Sequence, residues 1–350
     1  MASASTPTKT SSAIELREQK TGGTSQPSPK RVRVFAAALV LFVLANLLVA
    51  VCTSSKEDSD GCIFHLRKFE AISSPQLVFM GSSMCNHVFE AVKPTDFDGV
   101  RTSSLAYNLQ MCSDGYVLSD KYVRGNHVPS RMIIALGPRD LIDHDQADPT
   151  ATTTFRYLVS LLDLPRYCPL YARDAQQAGS MIFDKLFFLS DRRRSMQFRL
   201  RQFFQHLYGV NETMPKTAEE RIQRSIQEYK YRYSDPDPRQ FDLQLTMLAR
   251  IVHACRAQNI AVLVVILPVS PDNVNALGQG LYAKMQAALE NTAKGNGADF
   301  FNAAISRTYI PTDFYDTAHL NTCGARKVIE ALQSHLHQQS EPSKRATLGS

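Results

Sequence analysis

The residues from Ile260 to Leu267 read IAVLVVIL, a run made only of aliphatic side chains. Such a run is typical of a strand buried on both faces, and strands of that kind belong to parallel sheets covered by helices. Four further candidate strands are Gln76–Met80, Val100–Leu105, Arg131–Leu136 and Asp299–Asn302. Helical patterns separate these runs, so the sequence predicts an α/β fold with a doubly wound, flavodoxin-like parallel sheet and right-handed crossovers.

The segment 143–238, between the third and fourth candidate strands, is polar and rich in aromatic residues, and it predicts a helical insertion. Helical stretches within it lie near 153–163, 175–189, 192–208 and 218–233. The other predicted helices are Ser83–Val92, Met111–Arg124, Gln240–Gln258, Leu281–Thr292 and Gly324–His337. We expect one α/β domain over 62–337 and a flexible tail over 338–350.

The stretch from Val34 to Cys52 is 19 residues long and carries no charge, with Asn46 as its strongly polar residue. A helix of that length crosses a hydrocarbon core of about 30 Å. A cleaved signal peptide is the alternative, but its apolar region is shorter, at roughly 7–15 residues, and ends at small residues. We therefore expect an uncleaved transmembrane helix, a single-pass anchor, ahead of the folded domain.

Charged residues flank this stretch asymmetrically. The basic residues before it are Lys30, Arg31 and Arg33, and the acidic residues after it are Glu57, Asp58 and Asp60. The positive-inside rule places the N-terminus in the cytoplasm and the domain on the periplasmic, extracytoplasmic side of the inner membrane. Residues 1–33 are then expected to be a disordered cytoplasmic tail.

The net charge of +6 is unevenly distributed along the chain. Residues 1–33 hold six Lys/Arg and two Asp/Glu, so four of the six charges lie in the predicted tail. A nucleic-acid-binding protein carries its positive charge on the folded part, and nucleic acid is therefore not an expected partner. The run Arg192–Arg194 fits either a solvated helix face or a surface that meets an acidic polymer or lipid.

Seven cysteines are present, without a CxxC pair, so neither a zinc site nor any other metal or cofactor is expected. Cys85 and Cys112 come just after the segments that follow the first and second predicted strands, and Cys323 comes just after the segment that precedes the last helix. A Cys85–Cys112 disulfide is predicted to brace the first of these turns, with their Cα atoms within about 7 Å. Three free buried thiols are the alternative.

The turn Gly81-Ser82-Ser83-Met84 follows the first predicted strand and leads into a helix. It places a hydroxyl at a helix N-terminus, where backbone N–H groups favour a developing anion. A serine nucleophile needs that environment together with a nearby base. A helix N-cap is the other interpretation, because serine is a preferred N-cap residue.

Asp316 and His319 stand three residues apart, just before the last predicted helix. This spacing lets a loop carboxylate hold an imidazole, fix its tautomer and stabilise its charged form. A surface or packing histidine is the alternative for a single His. With a serine at the end of the first strand, the pair predicts nucleophilic catalysis.

Two further segments follow predicted strands. Asn108 and Gln110 come after the second strand, and Arg139 and Asp140 come after the third, in Gly-Pro-Arg-Asp. Asn108, Gln110 and Arg139 are candidate donors to an oxyanion or a substrate. A helix-capping role for Asp140 is equally compatible with the sequence.

Along the chain, these motifs occur in the order Gly-Ser-Ser, then Gly-Pro-Arg-Asp, then Asp-x-x-His-Leu-Asn-x-x-Gly. The combination resembles the SGNH (GDSL-like) hydrolase superfamily. More narrowly, it is similar to the membrane-anchored branch that includes alginate O-acetylation proteins and the D-alanyl transfer protein of teichoic acid synthesis. The resemblance covers Leu77–Asp140 and Ile260–Leu336, and it leaves out the first 60 residues and the insertion.

The resemblance implies Ser83 as nucleophile, His319 as general base and acid, and Asp316 as the carboxylate that orients His319. The backbone N–H of Ser83 would supply part of an oxyanion hole. The chain departs from the superfamily pattern at two places. Arg139 occupies the position of an oxyanion-binding Asn, and the block around Asn108 lacks the usual Gly. Arg139 is expected either to bind an oxyanion or substrate, or to pair with Asp140 or Asp143.

The function implied by this resemblance is an extracytoplasmic serine esterase or O-acyltransferase that acts on acyl esters of a cell-envelope polysaccharide. A membrane-bound O-acyltransferase that delivers acyl groups is the implied protein partner. The alternatives are a catalytically weak SGNH-like glycan-binding or scaffolding subunit of an acyltransferase complex, and a structural single-pass subunit without a site. The last of these would hold Ser83 and His319 far apart.

Overall fold

The computed structural model describes residues 29–54, 62–72, 74–123, 128–146, 148–187 and 217–347. The chain divides into two compact units, residues 1–47 and 48–350. Described residues of the first unit belong to helix α1, which spans Pro29–Ser54. The second unit holds the sheet and the remaining described helices.

Helix α1 covers the predicted 34–52 segment and begins before it, so residues 29–33 of the predicted tail are helical. Residues 1–28 of that tail lie outside the described residues. Across the described part of the chain, no helix combines the length and the apolar character needed to cross a membrane.

The described residues form one sheet of five parallel strands in the order β2-β1-β3-β4-β5. The strands are β1 Leu77–Met80, β2 Thr102–Ser104, β3 Arg131–Leu136, β4 Ala261–Ile266 and β5 Asp299–Asn302. This is the flavodoxin-like strand order, and the predicted α/β class with a parallel sheet is confirmed. All five predicted strands form within two residues of their expected bounds. The bounds are well defined because turn residues on both sides of each run of apolar or β-branched side chains mark where the strand can begin and end.

The strands are connected by helices. They are α2 Cys62–Glu70, α3 Ser83–Glu90, α4 Cys112–Leu118, α5 Thr153–Leu158, α6 Leu164–Tyr171, α7 Ala175–Leu186, α8 Ala218–Arg232, α9 Pro238–Arg256, α10 Pro271–Leu277, α11 Gln279–Gly295, α12 Ala303–Ser306 and α13 Thr322–Thr347. A π-helical turn, Ser119–Val123, extends α4. Short 3₁₀ turns occur at Asp96–Gly99, Pro138–Asp140, His144–Gln146, Pro149–Ala151, Leu161–Asp163 and Pro311–Asp313.

The insertion between β3 and α9 is helical where it is described. Helices α5, α7 and α8 match predicted stretches, whereas α6 was not predicted, since Pro165 and Pro169 argue against a helix there. The predicted stretch 192–208, with its Arg192–Arg194 run, lies outside the described residues. Helix α13 runs to Thr347, so the predicted helix end at His337 is wrong by ten residues.

The predicted Cys85–Cys112 disulfide is wrong, because both residues are free and buried. Burial and the nearby Asp140 carboxylate raise the pKa of both thiols, so each stays protonated at neutral pH. Cys323 is exposed at the start of α13 rather than part of a buried cluster. The sequence placed all three near strand ends but gave no information on side-chain direction.

Asp114 is a carboxyl group buried inside the domain, 2% exposed, near the start of α4. Its side chain accepts a hydrogen bond from the backbone N–H of Met111 at 3.1 Å. Burial raises the pKa of Asp114 to about 6, although hydrogen bonds from Thr152 and Thr154 act in the opposite direction. A raised pKa means that ionisation of this carboxyl costs more in the folded protein than in the unfolded chain.

The first prediction concerns Asp114→Asn. Since the folded pKa exceeds the unfolded one, the contribution of Asp114 to the free energy of unfolding should fall as the pH rises from about 4 to about 6 and stay low above that range. The variant should therefore be more stable than wild type at neutral pH by roughly 1–3 kcal/mol and equal to it below pH about 4. Urea unfolding across this pH range measures both. Asp242→Asn, at an exposed position, should have the same free energy of unfolding as wild type at every pH. A stability difference between Asp114→Asn and wild type that does not change with pH would contradict the prediction.

Candidate active site

The turn after β1 is shaped by Gly81. A Cβ at this position would lie 2.2 Å from the backbone oxygen of Ala135 on β3 and 2.7 Å from Cβ of Cys85. Such contacts are far inside van der Waals distance, so only glycine allows α3 to begin this close to the sheet. The turn lies at the carboxyl edge of the sheet, between β1 and β3, where ligands bind in sheets with this strand order.

The two serines of the turn have different roles. Ser82 is the N-cap of α3, and its hydroxyl accepts from the backbone N–H of Met84 at 3.4 Å. Ser83 is the first residue of the helix, and its Oγ lies 2.8 Å from Nε2 of His319. The N-cap interpretation therefore applies to Ser82, while Ser83 is the residue that contacts a histidine, as the nucleophile interpretation requires.

The loop between β5 and α13 holds Asp316 and His319. The carboxylate of Asp316 accepts the backbone N–H groups of Ala318 and His319 on Oδ1, both at 2.8 Å. Its Oδ2 lies 2.7 Å from Nδ1 of the His319 ring. The sequence-predicted Ser83, His319 and Asp316 are thus brought together in one hydrogen-bonded chain.

The electrostatics of Asp316 fix the direction of this chain. Burial acts to raise the pKa of Asp316, but hydrogen bonds from the His319 ring and from backbone N–H groups outweigh it and hold the pKa below its ordinary value. The carboxylate is therefore ionised at neutral pH and accepts a hydrogen bond from the Nδ1–H of His319. Nε2 is then free to accept the hydroxyl proton of Ser83, which is the arrangement of an activated serine.

Asn321 and Gly324 of the motif serve the loop rather than the chemistry. The side-chain oxygen of Asn321 accepts hydrogen bonds from the backbone N–H groups of Cys323 and Gly324. The side-chain NH₂ of Asn321 donates to the backbone oxygen of Thr312 at 2.6 Å. A Cβ at Gly324 would lie 2.3 Å from the backbone oxygen of Asp313. These two residues tie the start of α13 to the beginning of the loop.

Helix α8 of the insertion holds the other side of the loop. Ser225 Oγ lies 2.6 Å from Oγ1 of Thr317 and accepts its backbone N–H at 3.2 Å. Arg221 donates through Nε to the backbone oxygen of Tyr315 at 2.9 Å and lies over its ring. Both residues adjacent to Asp316 are therefore held by side chains of the insertion, and no local sequence pattern predicts such contacts between distant segments.

Arg139 is almost fully buried, 4% exposed, within a cluster of charges. Its Nε lies 3.7 Å from the Asp143 carboxylate, and its Nη2 lies 4.0 Å from that of Asp140. Arg232 of α8 also reaches Asp143, at 2.8 Å. These distances fit the structural-pair alternative for Arg139, while Nη2 makes no hydrogen bond to the described residues. Its role towards an oxyanion or a substrate stays a prediction.

The two candidates after β2 are placed differently from each other. Gln110 is buried, and with its amide nitrogen turned inward it donates to the backbone oxygens of Leu105 and Gly81. This geometry braces the nucleophile turn. Asn108 is exposed in the turn after Tyr107. The backbone N–H of Tyr107 donates to the backbone oxygen of Gly81 at 3.2 Å. Asn108 therefore lies near the turn and is the more accessible of the two amides.

His87 is a site residue that the sequence interpretation missed. Its ring centroid lies 5.0 Å from that of His319 and 6.5 Å from that of Tyr315. His87 stands four residues after Ser83 in α3, a spacing that puts both side chains on one face of the helix. That spacing was the available signal, but it acquires meaning only once Ser83 is known to meet His319.

A pocket of about 210 Å³ adjoins this second histidine. Its polar lining comes from His87, Glu90, Tyr315, Asn321 and Thr322. Ser83, His319 and Asp316 do not line this pocket, and their side chains are themselves largely covered.

Comparison with known proteins adds no assignment: no protein-family model matches the sequence, and no curated protein matches it.

The second prediction concerns Ser225→Ala. The substitution removes the hydroxyl that accepts the buried N–H of Thr317, and an unsatisfied buried group costs about 1–3 kcal/mol. We expect the free energy of unfolding to fall by that amount in urea titrations. Ser234→Ala is the matched control, because its exposed hydroxyl donates to the Tyr231 backbone oxygen and should contribute within about 0.5 kcal/mol. Equal losses in the two variants would contradict the role given to Ser225.

Proposed function

We propose that this protein is a serine acyl-transfer enzyme, an esterase or O-acyltransferase, with Ser83, His319 and Asp316 as its triad. The observation that carries the proposal is the continuous contact from Ser83 Oγ to His319 Nε2, at 2.8 Å, and from His319 Nδ1 to Asp316, at 2.7 Å. Nucleophile, base and orienting carboxylate in that order are what acyl transfer through serine requires.

In the proposed reaction, Ser83 Oγ attacks the carbonyl carbon of an ester while its proton passes to Nε2 of His319. The tetrahedral oxyanion forms beside the N-terminus of α3, where the backbone N–H of Ser83, the first residue of the helix, has no acceptor within the helix. His319 returns the proton to the departing alkoxide, which leaves an acyl-serine. Water or a sugar hydroxyl then gives its proton to His319 as its oxygen attacks the acyl carbon. The bond between the acyl carbon and Ser83 Oγ breaks, and His319 returns that proton to Ser83 Oγ, which restores both residues.

The proposed substrate is an acyl ester of a cell-envelope polysaccharide, and the proposed location is the extracytoplasmic side of the inner membrane. The location is supported by the sequence alone, through the uncharged 34–52 segment and the charges that flank it. The substrate class, and a membrane-bound O-acyltransferase as partner, are supported by the resemblance to the SGNH superfamily.

A catalytically weak glycan-binding or scaffolding subunit is the second candidate. One observation favours it: the amide of Gln110 donates to backbone oxygens, so one expected oxyanion donor is already used within the protein. Arg139 lies near the Asp140 and Asp143 carboxylates, although its Nη2 makes no hydrogen bond to the described residues. The Ser83 N–H and Asn108 are the other donors proposed for this role. Turnover against p-nitrophenyl acetate separates the two candidates.

The third prediction tests the nucleophile. A fluorophosphonate probe should label the wild-type protein at Ser83, as located by peptide mass spectrometry, and Ser83→Ala should abolish labelling and ester hydrolysis. Asp316→Asn should lower kcat about 10²–10⁴-fold, because the amide favours the wrong tautomer of His319.

Ser82→Ala is the matched control for the neighbouring hydroxyl. It removes the N-cap, at a cost of about 1 kcal/mol of stability, but should keep the label on Ser83. Label that persists in Ser83→Ala would remove the nucleophile assignment. A wild-type protein that takes no label and hydrolyses no ester would favour the binding subunit.

The fourth prediction tests the location. The full chain, fused at its C-terminus to a phosphatase that needs disulfides and is active only outside the cytoplasm, should show phosphatase activity in the membrane fraction. Replacing Lys30, Arg31 and Arg33 with Glu should reduce that activity, because the orienting charge is reversed. Activity in the soluble fraction with either sequence would contradict the anchor.

A further inference from the structure

The ring of His87 packs on the ring of His319, with centroids 5.0 Å apart and an angle of 38° between the planes. His319 accepts the Ser83 proton in the proposed reaction and then carries a positive charge. His87 lies on the same face of α3 as Ser83, one helical turn further on. A positive charge on His87 therefore repels the imidazolium that forms at His319 during the reaction.

We propose that His87 is a positioning residue whose protonation state gates the acyl transfer. The inference rests on the proposed function. When uncharged, His87 packs against the His319 ring and limits its rotation. When protonated, His87 opposes the imidazolium that forms at His319 as Ser83 gives up its proton.

The distance sets the size of this effect. Two positive charges 5.0 Å apart, at the effective dielectric constant of about 20 that describes protein sites, slow formation of the imidazolium on the order of 100-fold. The gate therefore acts through electrostatic repulsion rather than through movement of the chain.

The surroundings of His87 keep it uncharged at neutral pH. Burial lowers its pKa below the ordinary value and the adjacent His319 lowers it further, while the Glu90 and Asp316 carboxylates and the Leu320 backbone act in the opposite direction. Tyr315 faces it from the loop, and the Arg221 guanidinium lies over the Tyr315 ring, 4.1 Å from its centroid. The gate should consequently be open at neutral pH and close on acidification.

The pH dependence of kcat/KM for p-nitrophenyl acetate tests the gate between pH about 5 and 8. In wild type, protonation of His87 adds its repulsion to the reaction, so kcat/KM should fall steeply on acidification. In His87→Phe, which keeps an aromatic ring but cannot be protonated, kcat/KM should fall with a smaller slope. Equal slopes in the two proteins would overturn the gate.

Two further variants separate packing from charge. His87→Ala removes the ring and should lower kcat more than His87→Phe does, at every pH and with little change in KM. The exposed His253→Gln removes a histidine far along the chain on α9 and should keep the wild-type slope. If His87→Ala retains the kcat of His87→Phe, the positioning role is wrong.

A measurement without turnover keeps this inference separate from the proposed function. The pKa of His87, followed by imidazole NMR in the full chain, should rise in His319→Gln, because the repulsion from the second ring is lost. An unchanged pKa would overturn the inference even in an active enzyme. A raised pKa in a protein without esterase activity would instead retain the coupling of the two rings and reject the proposed function.

Discussion

The parallel pairing of β1 with β3 is the constraint on which the rest of the structure depends. Because the strands run in one direction, the turn after β1 and the segment after β3 emerge at the same edge of the sheet. The strand order also makes this the place where the chain's connections diverge to opposite sides. The opening so formed is filled by the start of α3, with Ser83 at its first position. The remaining site residues are arranged around that point.

Much of this framework could be predicted from the sequence, and the reason is physical. A short run of aliphatic and mostly β-branched residues such as IAVLVVIL is typical of a central strand, and β4 forms within one residue of that run. Ser83, Asp316 and His319 could also be found, because a turn after a strand and an Asp-x-x-His loop are local patterns. Helix α2 carried a detectable signal too, since Cys62, Leu66 and Phe69 are buried at helical spacing, but no helix was predicted there.

Features that depend on side chains from distant segments could not be predicted in this way. Gln110 bonds to the Gly81 backbone, and Arg139 lies between two carboxylates, although both residues also had the right chemistry for an oxyanion donor. Cys85 and Cys112 follow neighbouring strands but remain separate thiols, because proximity along the sheet edge does not set side-chain direction. Residue type and position limit what a group can do, and its three-dimensional partners decide among the possibilities.

The contacts that assemble the site join segments far apart in the sequence. Ser225 and Thr317 are 92 positions apart, and Ser83 and His319 are 236 apart. Each of these contacts closes a large loop, and the entropy cost of that closure is offset by burial elsewhere in the fold. Ser83 and the loop that holds Asp316 and His319 therefore meet only in the folded chain, so the site is a property of the native state as a whole and not of any local segment.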